Sequence, residues 1–352
     1  MILDVVKVMT PATLAFFIGI LLTPLVAHYL YKHRAWKKTG GKENAPIFNS
    51  LHKDREIKTP IMGGVIIWAS VLVTISGVWL SAHLLGSSFL EKLDFLSRDQ
   101  TWLPLFTLVV GAFVGLWNDI FEIKASERSH EKGISLSVRL LIVAVIGTFA
   151  AWWFYDKLEV ASIGIPFAED LSLGIFFIPF FVLVMLAVYA GGVIDGIDGL
   201  SGGVFATIFT AYAGIAFAQE QINLAAFSAT VAGAILAFLW FNVPPARFYM
   251  SETGTMGLTL TLTVVAFLAD TLGGGHGVFA LPIIAFPLVA TVASNIIQVS
   301  SKKLLKKKVF QVAPLHHHFE AIGWPSAKVT MRYWIISIMM ALLGVIVALI
   351  GV

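Results

Sequence analysis

Ten apolar stretches, each near the length of a lipid-crossing helix, leave this chain few folds to adopt. They cover about 13–31, 61–85, 102–117, 138–154, 173–190, 202–218, 224–241, 256–269, 278–299 and 333–352. A bilayer core takes roughly 17–25 apolar residues per helix. Backbone polar groups cannot stay unpaired in lipid, so each stretch is read as a helix. The third and eighth are short for a span. The fifth to seventh are nearly continuous, parted only by the glycine-rich stretch Ala190–Gly203 and by Gln219–Asn223. With 58% hydrophobic and 13% charged residues, the chain does not have the make-up of a soluble domain. The expectation is one all-α, polytopic integral-membrane domain over residues 1–352, with about ten transmembrane helices. No cysteine is present, which removes disulfides and thiolate metal sites. Leu14–Leu30 follows Pro11, precedes basic residues and lacks a small-residue cleavage site, so it reads as a retained span rather than a cleaved signal.

Lys and Arg accumulate in cytoplasmic loops and so orient the helices. The loop after the first span carries Lys32, Arg34, Lys37, Lys38, Lys42, Lys53, Arg55 and Lys58. The loop after the third carries Lys124, Arg128, Lys132 and Arg139, and the loop after the seventh has Arg247. After the ninth come Lys302, Lys303, Lys306, Lys307, Lys308, Lys328 and Arg332. Of the 24 Lys and Arg residues, only Lys7, Lys92, Arg98 and Lys157 fall on the other side. Both termini are therefore expected on the extracytoplasmic side. Every unusual polar cluster then lies in a cytoplasmic loop, while the opposite loops hold scattered acids such as Glu91, Asp94, Glu169 and Asp170. A transporter carries ionisable groups near the bilayer midplane, often in broken helices. Spans almost free of charge favour an enzyme whose active site opens on the cytoplasmic face.

Five clusters could carry the chemistry. In AGGVIDGIDGLSGG, Asp195 and Asp198 sit three residues apart among glycines. An ionised side chain at the edge of lipid is costly unless it meets water, a cation or a substrate, and glycine lets backbone approach a ligand closely. The pair suggests a metal–phosphate site, or else a polar loop between helices. In HKDREIKTPIMGG, Lys53, Arg55 and Lys58 precede a span; they are a phosphate clamp or an ordinary basic flank. In GLWNDIFEIK, Asp119 and Glu122 share a helix face at i, i+3; they suit a hard cation that keeps substrate phosphates among its ligands, or a solvated helix end. In FNVPPARFYMSETGTMG, Glu252 lies where a helix could start. Ser, Thr and acids suit such a terminus by themselves, and the same terminus can bind phosphate. In VAPLHHHFE, three adjacent histidines do not all face one way, which argues against a three-ligand zinc site and leaves donors to a diphosphate or a solvated loop. The preceding Lys302–Lys308 run suits anionic headgroups.

Taken in order, TPIMGG, GLWND, DGIDGL, FLWFN with MSETGT, APLHHHFE and RYWIIS resemble the polyprenyl-phosphate N-acetylhexosamine-1-phosphate transferases, from about Thr59 to Ile336. The triple histidine before an acid resembles the phospho-N-acetylmuramoyl-pentapeptide transferase branch in particular. The resemblance implies that undecaprenyl phosphate attacks the β-phosphate of UDP-MurNAc-pentapeptide, releasing UMP and leaving lipid I. It implies Mg2+ as cofactor, the bacterial inner membrane with its lipids as surroundings, and a homodimer; no nucleic-acid partner is expected. Phosphoryl transfer asks a protein mainly for positioning and charge neutralisation, which suits these residues.

By the same resemblance, Asp119, Asp195, Asp198 and His316 are the catalytic candidates. Lys58, Arg139, Asn242, His317 and His318 are the substrate-binding ones, and Glu252 with Asp195 would hold the metal. Several positions depart from the family pattern. Asn118 replaces the first acid of an Asp-Asp pair, Glu122 a lysine, Gly192 an asparagine and Glu252 a magnesium-binding aspartate. Arg139 replaces another basic residue, Lys58 aligns only with an extra residue, and the loop from Asp119 to Gly133 is long. Asn118 cannot act as nucleophile or base. Direct attack by the lipid phosphate, already anionic at neutral pH, is then the simplest mechanism, with Asp119 orienting it. Three other functions compete: transfer of a different UDP-HexNAc phosphate, which turnover of UDP-GlcNAc would reveal; a homologue that binds without chemistry; and a transporter.

Overall fold

Apolar runs in lipid have one local way to satisfy their backbone, and each of the ten stretches is helical over most of its described residues. The computed structural model describes residues 1–37, 49, 58–85, 87–97, 99–124 and 133–350. Lys38, Lys42, Lys53, Arg55, Arg98, Arg128 and Lys132, counted above, lie outside the described residues. The helices are α1 (Ile2–Lys32), α2 (Val65–Leu85), the short α3 (Ser88–Leu93), α4 (Trp102–Lys124), α5 (Leu136–Trp152), α6 (Phe177–Ala190), α7 (Leu200–Ala218) and α8 (Ile222–Asn242). Then follow α9 (Ser251–Leu268), α10 (Gly277–Ile284), α11 (Phe286–Leu304), the short α12 (Leu315–Ala321) and α13 (Ser326–Leu349). A π-helical turn, Trp153–Lys157, extends α5, and a 3₁₀ turn, Gly191–Ile194, extends α6. Among the described residues, eight helices are long and apolar enough to cross a membrane, so the chain is a multi-pass membrane protein.

Three details differ from the pattern read in the sequence. The 278–299 stretch is not one straight span: α10 and α11 meet at Ala285 with a bend of 68°. Pro287 has no N–H to continue the ladder of α10, and it suits the first turn of a new helix. The chain is not wholly α, because β1 (Ser162–Ile163) pairs antiparallel with β2 (Leu171–Ser172). Finally, α9 is not among the eight. Its threonines and glycines lower its hydropathy, and it is enclosed by protein: from Thr253 to Leu268 every residue is buried. From Thr255 onward the hydroxyls are satisfied within the helix, Thr259 donating to Thr255 O at 2.7 Å and Thr261 to Gly257 O at 2.8 Å.

Among the described residues the most extensive helix pairing is between α4 and α9, and small residues make it. Gly111 lies against Gly257, and Gly115 lies against the Glu252 carbonyl so closely that a Cβ could not fit. Small residues four apart let membrane helices approach backbone to backbone. One further turn along the same face comes Asp119. The seam that packs α4 therefore also delivers that carboxylate to the N-terminus of α9. Gly115→Ala is expected to destabilise the protein by about 1–3 kcal/mol through overpacking, with a lower thermal midpoint in detergent; an unchanged midpoint would show that the two helices are not held at this distance.

Candidate active site

A helix begins with N–H groups that its own carbonyls cannot reach. At α9 no side chain from the preceding residue caps them. Two carboxylates from elsewhere do so instead. Asp119 Oδ2 accepts from Thr253 N at 3.0 Å and from Thr253 Oγ1 at 2.6 Å. Asp195 Oδ2 accepts from Ser251 N at 2.7 Å, while its Oδ1 takes the Ser201 hydroxyl at 2.6 Å. Negative charge at this end is also favoured by the helix dipole. Ser251 itself has φ +60°, a conformation unusual for a residue with a Cβ, held by the Asp195 bond. Withdrawal from water raises the Asp195 carboxyl above its ordinary range; the Ser201 and Ser251 hydrogen bonds and, at longer range, Lys37 pull it back down, while Asp198 adds to the rise.

Between Ser251 and Thr253, the residues these two acids hold, stands Glu252. Its Oε1 is ion-paired with Arg139 Nη1 from the first turn of α5, and its Oε2 lies 3.5 Å from the Tyr189 hydroxyl at the end of α6. Arg139 Nε is buried with no hydrogen-bond partner among the described residues, which leaves a guanidinium donor to spare. Asp119 and Glu122 do not act as a pair. Asp119 is fully buried against α9, whereas Glu122 forms an ion pair with Lys37 at 3.2 Å.

The glycine-rich loop between α6 and α7 is gripped from several sides. Asp198 Oδ2 accepts from Ala246 N at 3.1 Å, and its carbonyl accepts from Thr330 Oγ1 of α13 at 3.0 Å. Trp334, also on α13, donates from its indole N–H to Gly199 O at 3.0 Å. Asn242 uses both ends of its amide as a brace: Oδ1 accepts from Gly199 N at 3.0 Å and Nδ2 donates to Phe248 O at 2.8 Å. His316 and His317 are buried beside Gly196, where a Cβ would come within 2.8 Å of His317 Nε2 and closer still to His316 Nε2. Glycine between the two aspartates is thus explained by the close approach of the histidine helix α12. His317 Nδ1 faces Glu320 Oε2 at 2.8 Å, and Ser326 donates to Glu320 Oε1 at 2.6 Å. His318 points elsewhere, with Nδ1 accepting from Gln311 N at 3.2 Å. Lys58 is exposed, two residues before a segment joined to the loop ahead of α9: Pro60 O accepts from Tyr249 N at 2.8 Å and Gly63 N donates to Tyr249 O at 2.8 Å.

The described parts of the five sequence clusters therefore meet at one end of the bundle, around the start of α9 and the glycine-rich loop bound to it. Thr253, Ser201, Tyr189, Thr330 and Trp334 complete the arrangement; Thr253, Ser201 and Trp334 stand inside the quoted motifs without being singled out there, and Tyr189 and Thr330 had no local signature. Glu320 did have one, standing three residues after His317 on a helix.

The acids supply hard oxygen donors, the ligand type that Mg2+ takes. Among the described residues no three His, Cys, Asp or Glu side chains converge to hold an ion unaided. Mg2+ does not ask for that, since it commonly keeps one or two carboxylates and fills the rest of its shell with water and substrate phosphates. Glu252 and Asp195, on and beside the first turn of α9, fit that pattern.

A membrane-embedded helical bundle with acids, a cation and histidines gathered at one end is suited to chemistry on an anionic group at the membrane surface. Residues 101–270 match the family described as Glycosyl transferase family 4. The phospho-N-acetylmuramoyl-pentapeptide-transferase of Bartonella quintana is 34% identical over 81% of this chain and 78% of its own length. That of Pelagibacter ubique is 32% identical over 83% of this chain and 80% of its own. For that of Latilactobacillus sakei the identity is 31%, over 94% and 95%. The chain belongs to the phospho-N-acetylmuramoyl-pentapeptide-transferase family.

Proposed function

We propose that the protein transfers phospho-MurNAc-pentapeptide from UDP-MurNAc-pentapeptide to undecaprenyl phosphate, forming lipid I and releasing UMP. The observation that carries this reading is the convergence of the clusters' described residues on the N-terminus of α9 and the glycine-rich loop bound to it, in a chain of this family. The bundle would cross the bacterial inner membrane ten times: the eight apolar helices, the bent pair α10–α11, and α9, whose 18 residues extend ~27 Å, near the ~30 Å of a bilayer core. Both termini would lie outside and the site would face the cytoplasm, as the distribution of Lys and Arg argues.

Glu252 and Asp195 would hold Mg2+, which when bound neutralises phosphate charge and orients the diphosphate. Arg139 binds a substrate phosphate oxygen through the part of its guanidinium not taken by Glu252. Asp119, fixed by Thr253, orients the attacking lipid phosphate. Asp198 and Asn242 keep the glycine-rich loop in shape. His316 and His317, packed on Gly196, offer ring nitrogens to the diphosphate of the bound substrate, whose bridging bond breaks to release UMP, His317 being oriented by Glu320. His318 and Lys58 stand further out and contact the remainder of the sugar nucleotide. The test is purified full-length protein with undecaprenyl phosphate and UDP-MurNAc-pentapeptide. UMP release that requires Mg2+ is expected. No release, or equal turnover of UDP-GlcNAc, would overturn the assignment.

A further inference from the structure

We infer that Asn118 is a positioning residue that pins the start of α5, and with it Arg139, against the N-terminus of α9. Asn118 is on α4 and only 4% exposed. Its Oδ1 accepts the Ile134 N–H at 2.9 Å, and its Nδ2 approaches Asp119 Oδ1 at 3.5 Å. Gly133 packs on the same amide, where a Cβ would stand 2.7 Å from Asn118 Oδ1. Two residues after Ile134 the chain enters α5, and Arg139 lies in its first turn.

The contacts close a ring. Asn118 holds Ile134; α5 carries Arg139; Arg139 pairs with Glu252; the neighbouring Thr253 binds Asp119; and Asp119 is joined to Asn118 by one peptide bond. Each side of the ring is short and each member is at least partly buried. Where α5 begins therefore decides where the guanidinium stands relative to the acids. Removing the amide leaves a partly buried N–H without its acceptor and frees the entry to α5. Even small displacements of a group that positions a substrate are costly in rate or affinity. The amide acts on the sugar nucleotide through Arg139. It rests on the proposed function for what Arg139 touches, but not for the ring itself.

The test uses full-length Asn118→Ala, Asn118→Leu and Asn118→Asp. Hydrogen exchange at Ile134 and in the first turn of α5 is expected to quicken in the first two and to stay at the wild-type rate in the third, because a carboxylate keeps the acceptor oxygen. KM for UDP-MurNAc-pentapeptide is expected to rise about tenfold in N118A, the size expected from losing a hydrogen bond to a charged group, with kcat changed less than KM. Asn118→Asp should restore KM whatever its added charge does to kcat. The double variant N118A/R139A should be no worse in KM than R139A alone, since both changes remove the same contact. Wild-type exchange at Ile134 in N118A would refute the pin. Faster exchange with additive KM effects would refute the link to Arg139. If the wild-type protein released no UMP, the proposed function would fall, and the same cycle read on thermal midpoints would still decide the coupling.

Discussion

Glu252→Gln is expected to lower Mg2+-dependent UMP release by about 10²–10³-fold, the usual effect of removing one preorganised charge from a reacting centre. The substitution separates charge from shape. Glutamine has nearly the same volume, and its carbonyl can still accept from Arg139 where Glu252 Oε1 now does. The N-terminus of α9 keeps its two caps from Asp119 and Asp195, so folding should survive. What is lost is the negative charge that would hold the cation, and with it the balance against Arg139. The midpoint of the Mg2+ titration should move to higher concentration along with the fall in turnover. Unchanged Mg2+-dependent turnover in this variant would remove Glu252 from the metal site.

Asp119→Asn is expected to reduce turnover by about 10²–10⁴-fold, the range for a side chain that acts directly on the reacting group. Here too the fold is spared. An asparagine oxygen can accept both the Thr253 N–H and the Thr253 hydroxyl, the two bonds that Asp119 Oδ2 makes. Its remaining end is an NH2 group in place of Oδ1. Thr253→Val is the control, since it removes only the hydroxyl donor and leaves the carboxylate and the backbone bond. It should cost far less activity. If D119N and T253V fell equally, Asp119 would be a helix cap and nothing more.

The organisation of the bundle was legible because its signals are local. Apolar runs and acids clustered beside glycines can each be read from neighbouring residues. The five clusters could be named for the same reason. Their joining could not. Asp119 and Thr253 are 134 residues apart, and Arg139 and Glu252 113; nothing near either residue indicates its partner. Asp119 and Glu122 share a helix face in sequence, yet one turns inward to α9 and the other to Lys37. The bend between α10 and α11 was hidden because the apolar run continues across Ala285 from one helix into the next.

The amino-acid order by itself determined that this chain enters a membrane as helices, and which loops hold the polar residues. Burial of apolar side chains and pairing of the backbone act along each segment and need no partner. Only the tertiary structure decided that α9 is wrapped by protein, and that its uncapped N–H groups are met by Asp119 and Asp195. It likewise decided that His316 and His317 close on Gly196. These choices depend on how near one backbone can come to another, and Gly111, Gly115 and Gly196 set those distances only once the helices have been brought together.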